Sequence, residues 1–136
     1  RRQWNLVDNK DLCYHWLGDF DREMLKVIKS QKNFQDTPVQ EIWHDDGDQV
    51  LCFMRGDLVF VFNFSPTRSY TDYGFLVPTG SYDVVLNTDS KDFGGNGFAD
   101  DSMTHTTNYD PLYVNDKKEW LKLYIPARSA VVLKKN

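Results

Sequence analysis

Leu58-Val59-Phe60-Val61-Phe62-Asn63-Phe64 is the stretch on which the fold turns. Its β-branched and aromatic residues favour an extended chain. At the two-residue period of a strand, Leu58, Phe60, Phe62 and Phe64 share one face and Val59, Val61 and Asn63 the other. Both faces are mostly apolar, as expected of a strand in the middle of a sheet. Phe60, Phe62 and Phe64 are expected to anchor the core. Just upstream, Gly56-Asp57 places Gly first, as a type II′ hairpin turn requires. Before it, Val39 to Trp43 and Val50 to Met54 bracket the turn-forming cluster His44-Asp45-Asp46-Gly47-Asp48. Downstream, Gly80 to Asn87 and Trp120 to Ile125 alternate apolar and polar residues, and Pro126-Ala127-Arg128-Ser129 turns the chain into a last strand, Ala130 to Lys134. The expected architecture is mainly β: an antiparallel β-sandwich of about seven or eight strands.

A helical period occurs once, from Asp19 to about Lys32, where Phe20, Met24 and Ile28 recur at four-residue spacing beside Leu25 and Val27. Asp19 after Gly18 is the expected N-cap, and Lys26, Lys29 and Lys32 suit the later turns. Residues 1 to 18 show no clear period and are expected to be loop with a short helical turn. Thr88 to Lys118, rich in Gly, Asp, Asn and Thr, is expected to be a long irregular excursion of the kind that often carries function.

The 136 residues carry 16 basic and 20 acidic side chains, a net charge of −4. That is one domain's worth of chain, too short for a complete eight-fold β/α barrel of roughly 200 residues or more. Basic residues cluster only as the pairs Arg1-Arg2, Lys117-Lys118 and Lys134-Lys135, which argues against a nucleic-acid footprint or an anionic membrane surface. No run of 18 apolar residues occurs, and Arg1-Arg2-Gln3-Trp4-Asn5 lacks a signal-peptide core. The first methionine is Met24, so the chain is expected to be a piece of a longer polypeptide. Cys13 and Cys52, each in an apolar setting, are expected to be buried free thiols.

No motif organises a catalytic centre. His44 with Asp45, Asp46 and Asp48 has ligand-type side chains, but the spacing matches no defined metal loop and a solvated turn explains it. Thr88 to Gly97 is glycine-rich yet lacks the Lys-Ser/Thr ending of a P-loop, so its glycines read as backbone freedom for a tight loop. His15, His44, His105 and the adjacent acids Asp100-Asp101 are not arranged by any nucleophile, acid–base or glycosidase spacing. No cofactor or metal is expected. Trp43, Tyr70, Tyr73, Tyr113 and Trp120 sit at strand ends or on polar-leaning faces, where a flat ring can either pack structurally or stack on the apolar face of a sugar. Tyr70, Tyr73 and Trp120 are the candidate stacking residues.

Together these stretches resemble the C-terminal part of the 1,4-α-glucan branching enzymes of glycoside hydrolase family 13, nearer the eukaryotic type. The resemblance runs through Arg1-Arg2-Gln3-Trp4, Phe20-Asp21-Arg22-Glu23-Met24, Val59 to Tyr73, Gly80-Ser81-Tyr82 with Val84 to Asp89, Phe93-Gly94-Gly95 and Leu123 to Ala130. It departs where the family often has His and this chain has Ser65 and Asn96, and through Gly97 to Asp116. The resemblance implies that residues 1–36 are the end of a (β/α)8 catalytic barrel and residues 37–136 an all-β C-terminal domain. It implies a parent enzyme that cleaves α-1,4 glucan chains by a retaining mechanism and transfers them to 6-hydroxyls, with its catalytic carboxylates upstream of Arg1. The implied partners are that barrel and α-glucan, the implied location is the cytoplasm, and the helix is expected, without the barrel, to expose its apolar face or to find a crystal or dimer partner. The rival readings are an autonomous carbohydrate-binding module and the terminal domain of a related amylase or debranching hydrolase.

Overall fold

The computed structural model describes residues 2–110 and 117–136. Its strands are β1 (Gln40–Asp45), β2 (Val50–Arg55), β3 (Leu58–Asn63), β4 (Tyr70–Phe75), β5 (Ser81–Asn87), β6 (Thr104–Thr106), β7 (Asn108–Tyr109), β8 (Glu119–Ile125) and β9 (Ser129–Lys135). They form a six-stranded sheet in the order β1-β2-β3-β9-β5-β6 and a three-stranded sheet in the order β4-β8-β7. Every pairing is antiparallel. The expected sandwich is present, and β3 is interior, flanked by β2 and β9. Gly56 takes a positive φ of 61° in the β2–β3 turn. The short strands β6 and β7 lie within the expected irregular excursion, where three- and two-residue pairings leave no readable period.

The space between the sheets is filled by Val50, Cys52, Val59, Val61, Tyr82 and Leu133 from the large sheet and Phe75, Leu121, Leu123 and Ile125 from the small one. The core-facing side of β3 is thus the valine side, contrary to the expected anchoring by phenylalanine. Val59 and Val61 are at most 1% exposed, whereas Phe64 is 60% exposed. Large residues from the opposing sheet already fill the gap, so β3 contributes small branched ones there. Its phenylalanines lie on the outer face and stack as a ladder, with Phe53 4.8 Å from Phe60 and 5.8 Å from Phe62, and Phe62 5.6 Å from Phe64.

One end of that outer face is covered by helix α1 (Tyr14–Lys29). Phe20, Met24 and Val27, with Phe34 from the following turn, pack on Leu58, Phe60, Val85, Leu86, Phe93 and Val132. The helix begins five residues before the expected N-cap and ends before Lys32. Asp19 lies inside it, paired with Arg22 at 2.7 Å. Gly18, expected just outside the helix, lies within it, and it is glycine because the N-terminal segment packs against it: a Cβ there would sit 2.9 Å from Val7 Cγ1. The apolar helix surface is only partly covered by the sheet: no residue of α1 is fully buried, and Tyr14, Leu17 and Leu25 are exposed. Cys13, expected to be buried, is exposed at the helix start, while Cys52 is buried and its thiol is pushed up to about 12 by that burial; both are free. No helix among the described residues is long and apolar enough to cross a membrane.

Two buried polar side chains hold the sandwich ends. Asn63 Nδ2 donates to the carbonyls of Arg68, Ile125 and Pro126 at 2.8 to 3.1 Å, and its Oδ1 accepts from Ser65 N at 3.0 Å. It thereby ties β3 to the β8–β9 turn. Asp89 accepts from the backbone N–H groups of Asn96, Phe98 and Ala99, and the glycine-rich loop closes around it. At Gly95 a Cβ would lie 2.2 Å from Asp89 O, and at Gly94 (φ 76°) 2.4 Å from the Trp16 ring. Here the glycines serve close backbone approach.

Leu58 is fully buried under α1, so Leu58→Ala is expected to lower stability by about 2–5 kcal/mol. Phe64→Ala, at an exposed ring, is expected to change it by about 0.5 kcal/mol or less. Urea unfolding midpoints of the two variants check both; equal losses would contradict the two-sided burial of β3.

Candidate functional site

The β1–β2 turn is held by side chains of its own. Asp45 Oδ1 accepts from Asp48 N at 2.8 Å, which explains the acidic cluster as turn chemistry. His44 pairs instead with Glu41 on its own strand at 2.6 Å, and that hydrogen bond raises its pKa. Asp48 then reaches across to the small sheet. Tyr73 OH donates to Asp48 Oδ2 at 3.0 Å and accepts from Trp43 Nε1 at 3.2 Å, while Tyr70 OH donates to Asp48 O at 2.9 Å. Arg68 closes the group, donating to Gly47 O and lying 5.8 Å from the Tyr70 ring centre. Trp43 presents a 47% exposed ring on this platform.

Tyr70 and Tyr73 are therefore brought together, their rings 5.3 Å apart at 63°. In the β4–β8 register Tyr73 is opposite Leu123 and Tyr70 opposite Ile125, so both rings pack on the inter-sheet core with their hydroxyls at its rim. Burial raises both pKa values, Tyr73 to about 12. Trp120 is elsewhere: it alternates with the buried Leu121 and lies on the outer face of the small sheet. Its ring rests over Gly74, where an added Cβ would make ordinary contact at 3.5 Å. Lys122, bridged to Asp110 at 3.3 Å, and the 40% exposed Tyr124 share that face of β8. Tyr113 lies outside the described residues.

A third location gathers residues that the sequence offered only separately. Between the sheets, on the β5–β6 side, Val84, Leu123 and Val131 line a cleft of about 150 Å³ with Asn87, Asp100, Asp101, Met103, His105 and Tyr124. His105 is half-buried there; burial lowers its pKa, against the opposing pull of Asp100 and Asp83. Asp100 is held low by the Ser102 hydroxyl and backbone N–H, both bound to its Oδ1. The sequence flagged the excursion from Thr88 and, within it, Asp100-Asp101 and His105, but not the packing that brings them to Asn87, which an Asx turn to Asp89 N buries. The two departures from the resembled family are structural in this chain. Ser65 is 1% exposed with its hydroxyl accepting from Arg68 N, and Asn96 uses its backbone N–H on Asp89.

Comparison with known proteins places these surfaces in a family context. Residues 42–136 match the profile described as "Alpha amylase, C-terminal all-beta domain". Across 134 residues the chain is 40% identical to a 1,4-alpha-glucan-branching enzyme of Saccharomyces cerevisiae, covering 98% of this chain and 19% of that protein. It is 40% identical over 135 residues to the protein of the same name from Emericella nidulans, again 98% and 19%. The Dictyostelium discoideum protein of that name is 38% identical over 141 residues, 99% of this chain and 20% of that one. The chain thus spans about a fifth of the length of the curated relatives it matches.

Tyr70, Tyr73 and Tyr82 all ionise above the ordinary value near 10 because burial disfavours the phenolate. A raised folded-state pKa means that the unfolded chain loses its protons first as pH rises. Stability is expected to hold below about pH 10 and to fall from there towards the Tyr73 value of about 12. Phenolate absorbance during alkaline titration checks this: Tyr73→Phe should remove a component that titrates near the top of the curve.

Proposed function

The chain belongs to the alpha amylase C-terminal all-beta domain family, and from that premise we propose that it is the non-catalytic terminal part of a 1,4-α-glucan branching enzyme. The observation that carries this reading is a match along 98% of the chain, at 40% identity, to a protein about five times longer. On this reading residues 37–136 form the all-β domain, and residues 1–36 continue from the catalytic barrel. The profile match from residue 42 leaves α1 outside the domain proper, which supports that division.

The role is to cover and steady the catalytic part. Two apolar surfaces are available for it: the exposed side of α1, with Tyr14, Leu17 and Leu25, and the open end of the phenylalanine ladder at Phe62 and Phe64. Exposed apolar area of this extent is a docking surface in a soluble chain. The remaining exterior is suited to glucan contact, through Trp120 with Tyr124 on the small sheet and through the Trp43 platform that Tyr70 and Tyr73 support. A cytoplasmic location fits free thiols at Cys13 and Cys52, which a reducing compartment maintains.

The reading is tested by a chimera in which this chain replaces the matching fifth of the S. cerevisiae relative. Branching of amylose, followed by iodine absorbance and by α-1,6 linkages in proton spectra, is expected to be retained. The chain by itself should neither branch amylose nor release reducing sugar. A soluble, cooperatively folding chimera that leaves amylose unbranched would overturn the assignment. In glycogen-containing gels the chimera should be retarded, and Trp120→Ala should reduce the retardation while leaving migration in plain gels unchanged.

A further inference from the structure

Asn96-Gly97 is the one Asn-Gly step in the sequence. It lies in the loop that Asp89 gathers, where backbone N–H groups converge on that one residue. Asn96 N donates to Asp89 Oδ1 at 3.1 Å, Phe98 N and Ala99 N donate to Oδ2 at 2.6 and 3.3 Å, and Gly97 N donates to the Asp89 carbonyl at 2.7 Å. Gly97 has a positive φ of 67°, and the Lys91 side chain lies over it, with Cε 3.1 Å from where a Cβ would be. The loop thus requires glycine at position 97. Asn96 is exposed, and what the loop uses of it is its backbone N–H.

This pairing carries its own chemistry. Glycine has no Cβ to shield its nitrogen, so an Asn-Gly step is the least hindered case for attack of a backbone nitrogen on the preceding side-chain amide. The Gly97 nitrogen, having lost its proton to solvent base, forms a bond to Asn96 Cγ. The Cγ–Nδ2 bond breaks, and ammonia leaves after taking a proton from water. Water then opens the resulting cyclic imide, its hydroxyl going to one of the two imide carbons and its proton to the nitrogen. Opening at Cγ gives aspartate. Opening at the main-chain carbonyl gives isoaspartate, whose backbone runs through the former side chain. Water is the one co-reactant.

We propose that Asn96 is a site of spontaneous amide-to-carboxylate conversion and that the Asp89 loop gates it. In the closed loop the Gly97 N–H is held by the Asp89 carbonyl, so the nitrogen is free neither to lose its proton nor to turn towards Asn96 Cγ. Conversion waits on local opening, in which the bonds to Asp89 break together. Once made, the change keeps the loop from closing as before. Isoaspartate inserts a backbone carbon between two N–H groups that Asp89 holds at once, and either product sets a second carboxylate beside Asp89, where like charges repel. The same loop carries Phe93, edge-on to Phe20 at 5.4 Å, and Gly94, against the Trp16 ring. The converted loop therefore loosens its grip on α1. None of this depends on what the parent protein does.

The test is timed incubation of the 136-residue chain, folded in buffer and unfolded in guanidinium chloride at the same pH, followed by mass spectrometry of the tryptic peptide 92–117. Electron-transfer fragments locate the mass gain and separate aspartate from isoaspartate. Conversion is expected at Asn96 ahead of Asn108 and Asn115, faster at higher pH, and about tenfold or more slower in the folded chain than in the unfolded one. Asp89→Ala should narrow that gap, and Asn96→Ser should show no conversion at position 96. Hydrogen exchange at the wild-type Gly97 amide reads the same gate without a substitution, and protection is expected. The converted chain, separated by anion exchange, should unfold at lower denaturant and be cut faster by trypsin at Lys91. The proposal is overturned by an unfolded chain that leaves Asn96 intact, by equal rates in the folded and unfolded chains, by an unprotected Gly97 amide, or by a converted chain as resistant to trypsin as the original.

Discussion

The six-stranded sheet is apolar on both faces, and the rest of the fold follows from having to cover it twice. The three-stranded sheet covers the valine side of β3, and α1 covers the Leu58 and Phe60 side. Removing either cover would expose a contiguous apolar face, which a soluble chain does not tolerate well. This explains why a helix outside the family-matched region is still packed against the sheet, and why Gly94 has to admit the Trp16 ring of that helix. The covering is incomplete: α1 packs at the Leu58 and Phe60 end and Phe64 stays exposed, as do Tyr14, Leu17 and Leu25 of the helix itself.

The middle position of β3 was legible because both of its faces are apolar, a pattern that only a doubly covered strand sustains. Which face meets which cover was not legible. The choice between Val59 with Val61 and Leu58 with Phe60 depends on what Phe75, Leu121 and Leu123 already fill from the facing sheet, and local periodicity carries no such information. The helix was legible in existence and misplaced at its start, because Gly18 and Asp19 together imitate a boundary. Gly18 is there for the approach of Val7, a contact between segments that spacing cannot disclose. Cys13 failed for the same reason: apolar neighbours in sequence did not become neighbours in space.

The candidate surfaces divide along the same line. Tyr70, Tyr73 and Trp120 are visible in sequence as aromatics that leave the alternation of a core strand, but only the β4–β8 register separates two of them from the third. Tyr70 and Tyr73 face the core and lend their hydroxyls to Asp48; Trp120 faces out. Trp43 becomes the exposed ring of the pair's platform through a hydrogen bond spanning 30 residues of chain.

Buried polar groups in this molecule sit where the chain must leave the sheets. Asn63 uses both ends of its amide, on Ser65, Arg68, Ile125 and Pro126, and so closes the β3 end of the sandwich without remainder. Asp89 likewise saturates itself on three backbone N–H groups and fixes a loop whose length and glycines would otherwise leave it loose. Asn87, two residues before Asp89, spends only its acceptor. A fully satisfied network rigidifies and a half-satisfied one is a liability, so Asn63 is the stronger staple of the two: all of its amide is bonded, whereas Asn87 Nδ2 has no hydrogen-bond partner among the described residues.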